Sequence, residues 1–406
     1  MKKVLCIDYF FPPLMGGWFG GHRLIRFLPE LGWQPVVLSA AETVSYGKDY
    51  SLLKDIPANI EVHHVGHREL PKEWLYVLRR LKMNFQFPDG YESWYSPALR
   101  EARSVLQKEK VNLIYSDSAP YSAHFVAMEL KKEFSIPWVA EFGDLLTGND
   151  FLNRFLDDTL VPPLRQILKR RIRKKERQIV ESADKVIVIH PYHKQQLSQL
   201  YSAQKDKIEV VTDGYHESDF TEIKPYRLYP DKLTIVFLGS FYPEFREPIM
   251  TFLNAVNEVD RQAEVVFIGR GSIALQDINM PHLTKVMHLV REKALAFAAG
   301  GDFLFVVMPP YAEWIPSKIY EYLRLGKPIL ALVPEDGDAA RLVREAEAGF
   351  ILSYEFEKMK EQLRNIFRQW KQGEFRNFHP KWEYVSQFER RNLADRIVAI
   401  FNQVVA

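Results

Sequence analysis

The chain has 406 residues, 47% of them hydrophobic and 26% charged, with a net charge of +2 at neutral pH. That length suggests two or three domains, and the composition excludes a disordered or fibrous chain and gives no bulk charge for nucleic acid. The single cysteine, Cys6, lies in an apolar run, which excludes a disulfide framework within one chain and fits a reducing compartment.

The N-terminus is basic and then apolar, but Pro12 and Pro13 cut the run too short for a signal peptide; a first strand from Val4 to Tyr9 fits better. A glycine-rich loop follows, with Gly16, Gly17, Gly20 and Gly21. Helical spacing then runs from His22 to Leu31, and a second strand from Gln34 to Ser39. This reads as a βαβ unit whose first turn lies where α/β proteins bring backbone close to phosphates, without the spacing of a dinucleotide fingerprint; a purely structural glycine loop is the other reading. The aromatic and basic stretch from Leu70 to Pro97 reads as a lid, an acceptor loop or a surface insertion. Helices are expected from Pro97 to Lys108 and Tyr121 to Glu133, alternating with strands from Leu113 to Ser116 and Trp138 to Phe142.

Seven basic residues fall within the nine from Lys169 to Arg177, on a helix expected from Leu164 to Glu181. They read either as a solvated face or as a patch for an anionic membrane surface. No other basic cluster supports nucleic acid. After further strands at Lys185 to Ile189 and Ile208 to Thr212, the stretch 213–231 loses periodicity and reads as an interdomain linker. A second strand–helix alternation begins at Leu233, with a helix from Pro248, a strand from Glu264 to Ile268, a strand from Val286 to Leu289 and a helix from Arg291. Two α/β halves joined by a linker put the expected site in a cleft at the carboxyl ends of the strands. No stretch of about 18 residues lacks charges and helix breakers, so no transmembrane helix is expected.

The most informative stretch is EWIPSKIYEYLRLGKPIL, Glu313 to Leu330. Pro316 suits a helix start, Ile319, Tyr322 and Leu323 have helical spacing, Gly326 suits the C-cap, and Pro328 stops the helix before a strand. Glu313 then precedes the helix N-terminus and Glu321 lies within it. A helix N-terminus receives anions, and carboxylates accept from sugar hydroxyls. That combination suits a sugar nucleotide, although two surface glutamates are the blander reading.

These motifs resemble the retaining glycosyltransferases of family 4, in the branch that builds bacterial surface polysaccharide, over nearly the whole chain. Glu313 and Glu321 followed by Gly326-Lys327-Pro328 are similar to the family's paired-glutamate signature and trailing G-x-P. The resemblance implies the GT-B fold: two Rossmann-like, doubly wound parallel-sheet domains facing a cleft, over 1–212 and 232–380, with a C-terminal helix in 381–406 packing back on the first. It implies transfer from a nucleoside diphosphate sugar of UDP or GDP type to a saccharide or lipid-linked acceptor, with retention of configuration and with no metal or other cofactor; the chain is expected to be cytoplasmic, and peripheral at the inner face of the membrane if the run from Lys169 to Arg177 docks there. Glu321 would accept from the ribose and Glu313 would lie near the donor sugar. Ser317 and Lys318 would face the diphosphate, as would the loop of Gly16 and Gly17. Gly269 and Gly271 match the turn near the base.

Two departures stand out. Ser240 occupies the position of the family's usual arginine, leaving Arg246 as the nearest match to its lysine partner. Gly143 and Asp144 stand where the family has a histidine, which makes Asp144 the candidate acceptor contact, or a plain loop or cap aspartate. A degenerate, non-catalytic nucleotide-sugar-binding protein is the alternative.

Overall fold

The computed structural model describes the chain except residues 16–23, 45–46, 68–90, 119, 149–161, 241–242, 270–277 and 287–288. It divides into two compact units, Met1–Thr212 with Leu393–Ala406, and Asp213–Asn392.

The first unit holds a seven-stranded sheet in the spatial order Glu61–Val65, Trp33–Ala40, Lys2–Ile7, Leu113–Ser118, Trp138–Phe142, Lys185–Val188, Ile208–Val210. Every pairing in it is parallel. Successive strand residues point to opposite faces, and both faces of a parallel sheet are covered. Leu5 and Ile7 pack under the helices Glu92–Lys108 and Ser122–Phe134 through Trp94, Ala98, Ala127 and Leu130. Val4 and Cys6 face the other way, onto Leu393, Ile397 and Phe401 of the helix Arg390–Val404.

The second unit holds a six-stranded parallel sheet in the order Leu283–Val286, Glu264–Ile268, Thr234–Leu238, Phe303–Val307, Ile329–Leu332, Gly349–Ile351. In chain order this is 3-2-1-4-5-6, the doubly wound arrangement whose ligands sit at the strands' carboxyl ends, where the order reverses. Phe237, Phe305 and Leu332 face Phe252 and Leu363 of the helices Arg246–Val259 and Phe356–Lys371, with Phe252 stacked on Phe305 at 3.8 Å between centroids. The opposite face covers Ile319, Tyr322 and Leu323 of the helix Lys318–Leu325.

Several expectations shift. The helix expected from His22 is only partly within the described residues; there, Leu24 and Ile25 are helical, then the chain turns into the 3-10 helix Pro29–Leu31. The helix expected from Pro97 begins at Glu92 with Pro97 inside it, and the burial of Trp94, Ala98 and Ala102 outweighs the one backbone bond that proline removes. Most of the aromatic stretch from Leu70 lies outside the described residues, but Trp94 is core, edge-on to Tyr9 at 5.1 Å. Of the strand expected from Val286 to Leu289, residues 287–288 lie outside the described residues; the described strand is Leu283–Val286, an edge strand with no buried residue, so hydropathy could not mark its start. Residues 213–231, read as a linker, pack within the second unit, where Arg227 pairs with Asp302 at 2.9 Å and the Tyr226 N–H donates to Ala296.

Candidate active site

The first strand of the second unit ends at Leu238, whose N–H donates to the Tyr322 hydroxyl at 2.7 Å. The helix Lys318–Leu325 therefore grips that strand's carboxyl end from inside, because Tyr322 is fully buried. Burial chiefly pushes the Tyr322 hydroxyl's pKa up, against the Leu238 N–H, and Glu321 adds to the push. The next loop passes close by: a Cβ on Gly269 would lie 1.9 Å from the Gly239 carbonyl oxygen, so only glycine fits there. Ser240 is exposed just beyond, and Arg246 opens the helix Arg246–Val259, partly buried.

Glu313, partly buried, lies in the loop after Phe303–Val307. Proline at 316 precedes the helix rather than opening it; Ser317 is the cap, yet its hydroxyl makes no capping bond. Instead the Pro316 and Ser317 carbonyls accept from Ile319 and Tyr320 at 3.0 and 3.3 Å. Gly326 closes the helix in the left-handed conformation, at φ 68°.

Glu321 is 4% exposed and sits between two cations. Lys318 Nζ lies 3.0 Å from its Oε2 and 3.3 Å from its Oε1. Arg291 Nη1 lies 2.8 Å from Oε1 on the other side. The same guanidinium reaches Asp219 through Nε and Nη2, at 2.9 and 2.7 Å. Burial by itself would lower the Arg291 pKa, but the Glu321 and Asp219 carboxylates outweigh it and hold the arginine firmly protonated. Beside Asp219, Glu217 takes Arg324 Nε at 2.6 Å.

The second sheet thus brings Ser240, Arg246, Gly269, Glu313, Ser317, Lys318 and Glu321 to its carboxyl end. In the first unit Asp144 follows the strand Trp138–Phe142, with its carbonyl accepting from the Tyr121 hydroxyl at 2.9 Å. The Asp144 side chain is exposed. Gly16, Gly17 and Gly271 lie outside the described residues. The reading from sequence missed Arg291, Asp219 and the polar use of Tyr322. Nothing in linear spacing joins residues 219, 291 and 321; only the fold does.

His124 is fully buried, its Nδ1 2.8 Å from Ser116 Oγ, which also accepts from Trp138 Nε1 at 2.8 Å. Burial lowers its pKa to about 3, so it is a neutral core histidine. Among the described residues no group of three or more His, Cys, Asp or Glu is placed to hold a metal ion, and no helix is long and apolar enough to cross a membrane.

No curated protein matches the chain in sequence. The family model described as Glycosyltransferase Family 4 matches residues 22–218, and that described as Glycosyl transferases group 1 matches residues 232–369. Among solved structures, Alr3699/HepE of Anabaena in complex with UDP and glucose is similar at 14% identity, over 99% of this chain and 100% of that one, with a TM-score of 0.66. A glycosyltransferase from Rickettsia africae is similar at 13% identity, over 100% and 98%, with a TM-score of 0.64. The lipopolysaccharide outer core galactosyltransferase WaaB in its apo form is similar at 12% identity, over 99% and 100%, with a TM-score of 0.60. At such identities the likeness is one of fold, and with the two family models it has one meaning: the chain belongs to the GT-B glycosyltransferases of the family 4 and group 1 type.

Proposed function

We propose that the enzyme transfers a sugar from a nucleoside diphosphate sugar, of UDP or GDP type, to a saccharide or lipid-linked hydroxyl, with retention of configuration, in the synthesis of surface polysaccharide at the cytoplasmic face of the membrane. The observation that carries this reading is the buried Glu321 carboxylate between Lys318 and Arg291, on a helix at the carboxyl end of a doubly wound sheet. Support comes from HepE, which was solved with UDP-glucose.

Glu321 accepts from the ribose hydroxyls. Lys318 and the N–H groups at Ser317 and Lys318 take the diphosphate, where an unpartnered helix start favours negative charge. Gly239 and Gly269 keep the facing loops free of side chains, so that backbone meets the nucleotide, with Gly271 and the loop of Gly16 and Gly17 in the same role. As the leaving diphosphate gains charge, Arg246 and Lys318 neutralise it. Glu313 stands by the donor sugar and Asp144 meets the acceptor. The basic run from Lys169 to Arg177 holds the protein against anionic lipid.

Ser240 in place of arginine favours a second reading, a protein that binds nucleotide sugar without transfer. One experiment separates them. Melting temperature is measured with UDP-, GDP-, ADP-, dTDP- and CMP-linked sugars, on wild type and Glu321→Ala, followed by product mass with an acceptor mixture. Ligand at about 100 times its dissociation constant adds roughly 2.7 kcal/mol. A rise for one nucleotide class, lost in Glu321→Ala, together with a product heavier by one sugar, is the expected result. Binding without any such product upholds the second reading, and no rise with any donor removes both.

A further inference from the structure

The residue that holds Glu321 emerges only in three dimensions. Arg291 opens the helix Arg291–Gly300 and spreads its guanidinium between two carboxylates, Glu321 at 2.8 Å and Asp219 at 2.7 Å. Asp219 belongs to the short 3-10 helix Glu217–Asp219. Three segments far apart in sequence are therefore tied together at the buried Glu321 carboxylate. Lys318 approaches the same carboxylate from its own helix, spanning both oxygens at 3.0 and 3.3 Å.

The two cations are not equivalent. Lys318 carries a compact charge on a flexible stem and, like the Arg291 side chain, is about one third exposed. Arg291 is a planar fork fixed at its other edge by Asp219, which balances its charge.

We propose that Arg291 is a positioning residue of the donor site: it holds Glu321 to receive the ribose hydroxyls and remains there when Lys318 turns to the diphosphate. The inference rests on the reading of Glu321 as ribose acceptor. A diphosphate carries more negative charge than one carboxylate and competes for the mobile lysine. A carboxylate 4% exposed cannot give up both its counter-charges, because a buried charge left unpaired is costly. With Arg291 fixed, Glu321 releases Lys318 and exposes to the ribose the oxygen lone pairs that the lysine held. Asp219 keeps Arg291 from following the lysine to the diphosphate. Recognition of ribose and of diphosphate are thereby coupled through one exchange of partner.

The test is the ratio of affinities for UDP against 2′-deoxy-UDP and 3′-deoxy-UDP, repeated with the guanine series, on the full chain. Wild type, Glu321→Gln, Arg291→Lys, Arg291→Gln and Lys318→Ala are compared. Wild type is expected to prefer the ribonucleotide about tenfold or more over at least one deoxy form, as for a hydrogen bond to a charged group. Glu321→Gln and both Arg291 variants bring that preference below about threefold, whereas Lys318→Ala weakens ribo and deoxy forms in parallel. The ratio is insensitive to partial unfolding, which lowers both apparent affinities by the same factor. A preference intact in both Arg291 variants but collapsed in Glu321→Gln overturns the inference and leaves the ribose reading standing. Collapse in Lys318→Ala with the Arg291 variants unchanged also overturns it. A wild-type preference near one, or one that Glu321→Gln leaves untouched, overturns the ribose reading itself.

Discussion

Asp8 follows the first strand and is 6% exposed, with the Phe10 N–H on its Oδ1 at 3.1 Å and no partner for Oδ2. Burial raises its carboxyl from 3.8 to about 7, against the pull of the Phe10 N–H. The neighbouring Cys6 thiol is pushed up by burial first and by Asp8 second, so it resists modification while the unit is folded. A carboxyl raised on folding is held in its protonated form. Below about pH 4 it costs nothing; the penalty builds between about pH 4 and pH 7 and is constant above. Asp8→Asn keeps the acceptor for Phe10 and removes the charge. Its stabilisation, read by thermal melting, is expected to grow between pH 5 and pH 8, towards a limit of the order of 4 kcal/mol. A gain that is flat with pH contradicts the assignment. Glu321 shows the opposite solution to the same problem: a buried carboxylate supplied with two cations. Sequence spacing marked Glu321 and Lys318, which share one helix. Arg291 and Asp219 were invisible, because their pairing depends on the crossing of separate segments.

Elements with strong local signals are legible in the chain itself. The Lys318–Leu325 helix stops where Gly326 permits a left-handed turn, and the strands Trp138–Phe142, Glu264–Ile268 and Phe303–Val307 coincide with apolar runs. The start of Leu283–Val286 was missed, since an edge strand buries too little to leave a hydropathic trace. The last stretch has helical spacing throughout, yet Glu389 is extended and separates the short 3-10 helix Ser386–Phe388 from the helix Arg390–Val404. That break divides the two units' contributions: Phe388 packs in the second unit's core, whereas Phe401 packs in the first, edge-on to Trp33 at 5.5 Å and tilted against Tyr115 at 5.5 Å. Phe401→Ala is expected to cost about 3–5 kcal/mol in chemical denaturation, by lost burial and a cavity. A loss below about 1 kcal/mol would mean that the C-terminal helix does not complete this core.

The whole molecule carries a net charge of only +2, so any attraction to an anionic surface has to be local. The helix Pro162–Ser182 concentrates it: Arg170, Arg171, Arg173, Lys174 and Arg177 are exposed, and Ile167 beside them is 46% exposed. Its inner face is anchored by Glu176, which accepts from the Thr147 N–H at 2.9 Å and the Tyr201 hydroxyl at 3.0 Å, and by Lys175 over the Phe125 ring at 4.9 Å. If this face docks on lipid, the protein sediments with phosphatidylserine vesicles at low salt, is released at about 0.5 M salt as screening shortens, and is lost in a triple variant carrying Arg170→Glu, Arg173→Glu and Lys174→Glu. Binding that ignores salt, or none at all, discards that part of the proposed function. By itself the sequence determined what is local and periodic: the strand–helix alternation, the helix stops, the paired glutamates, and with them the family. Tertiary structure alone decided which charges meet, which aspartate is stranded and which proline is tolerated. Periodicity reports the burial of one element at a time. An ion pair across residues 219, 291 and 321 is fixed only when the sheet has brought three elements to one point.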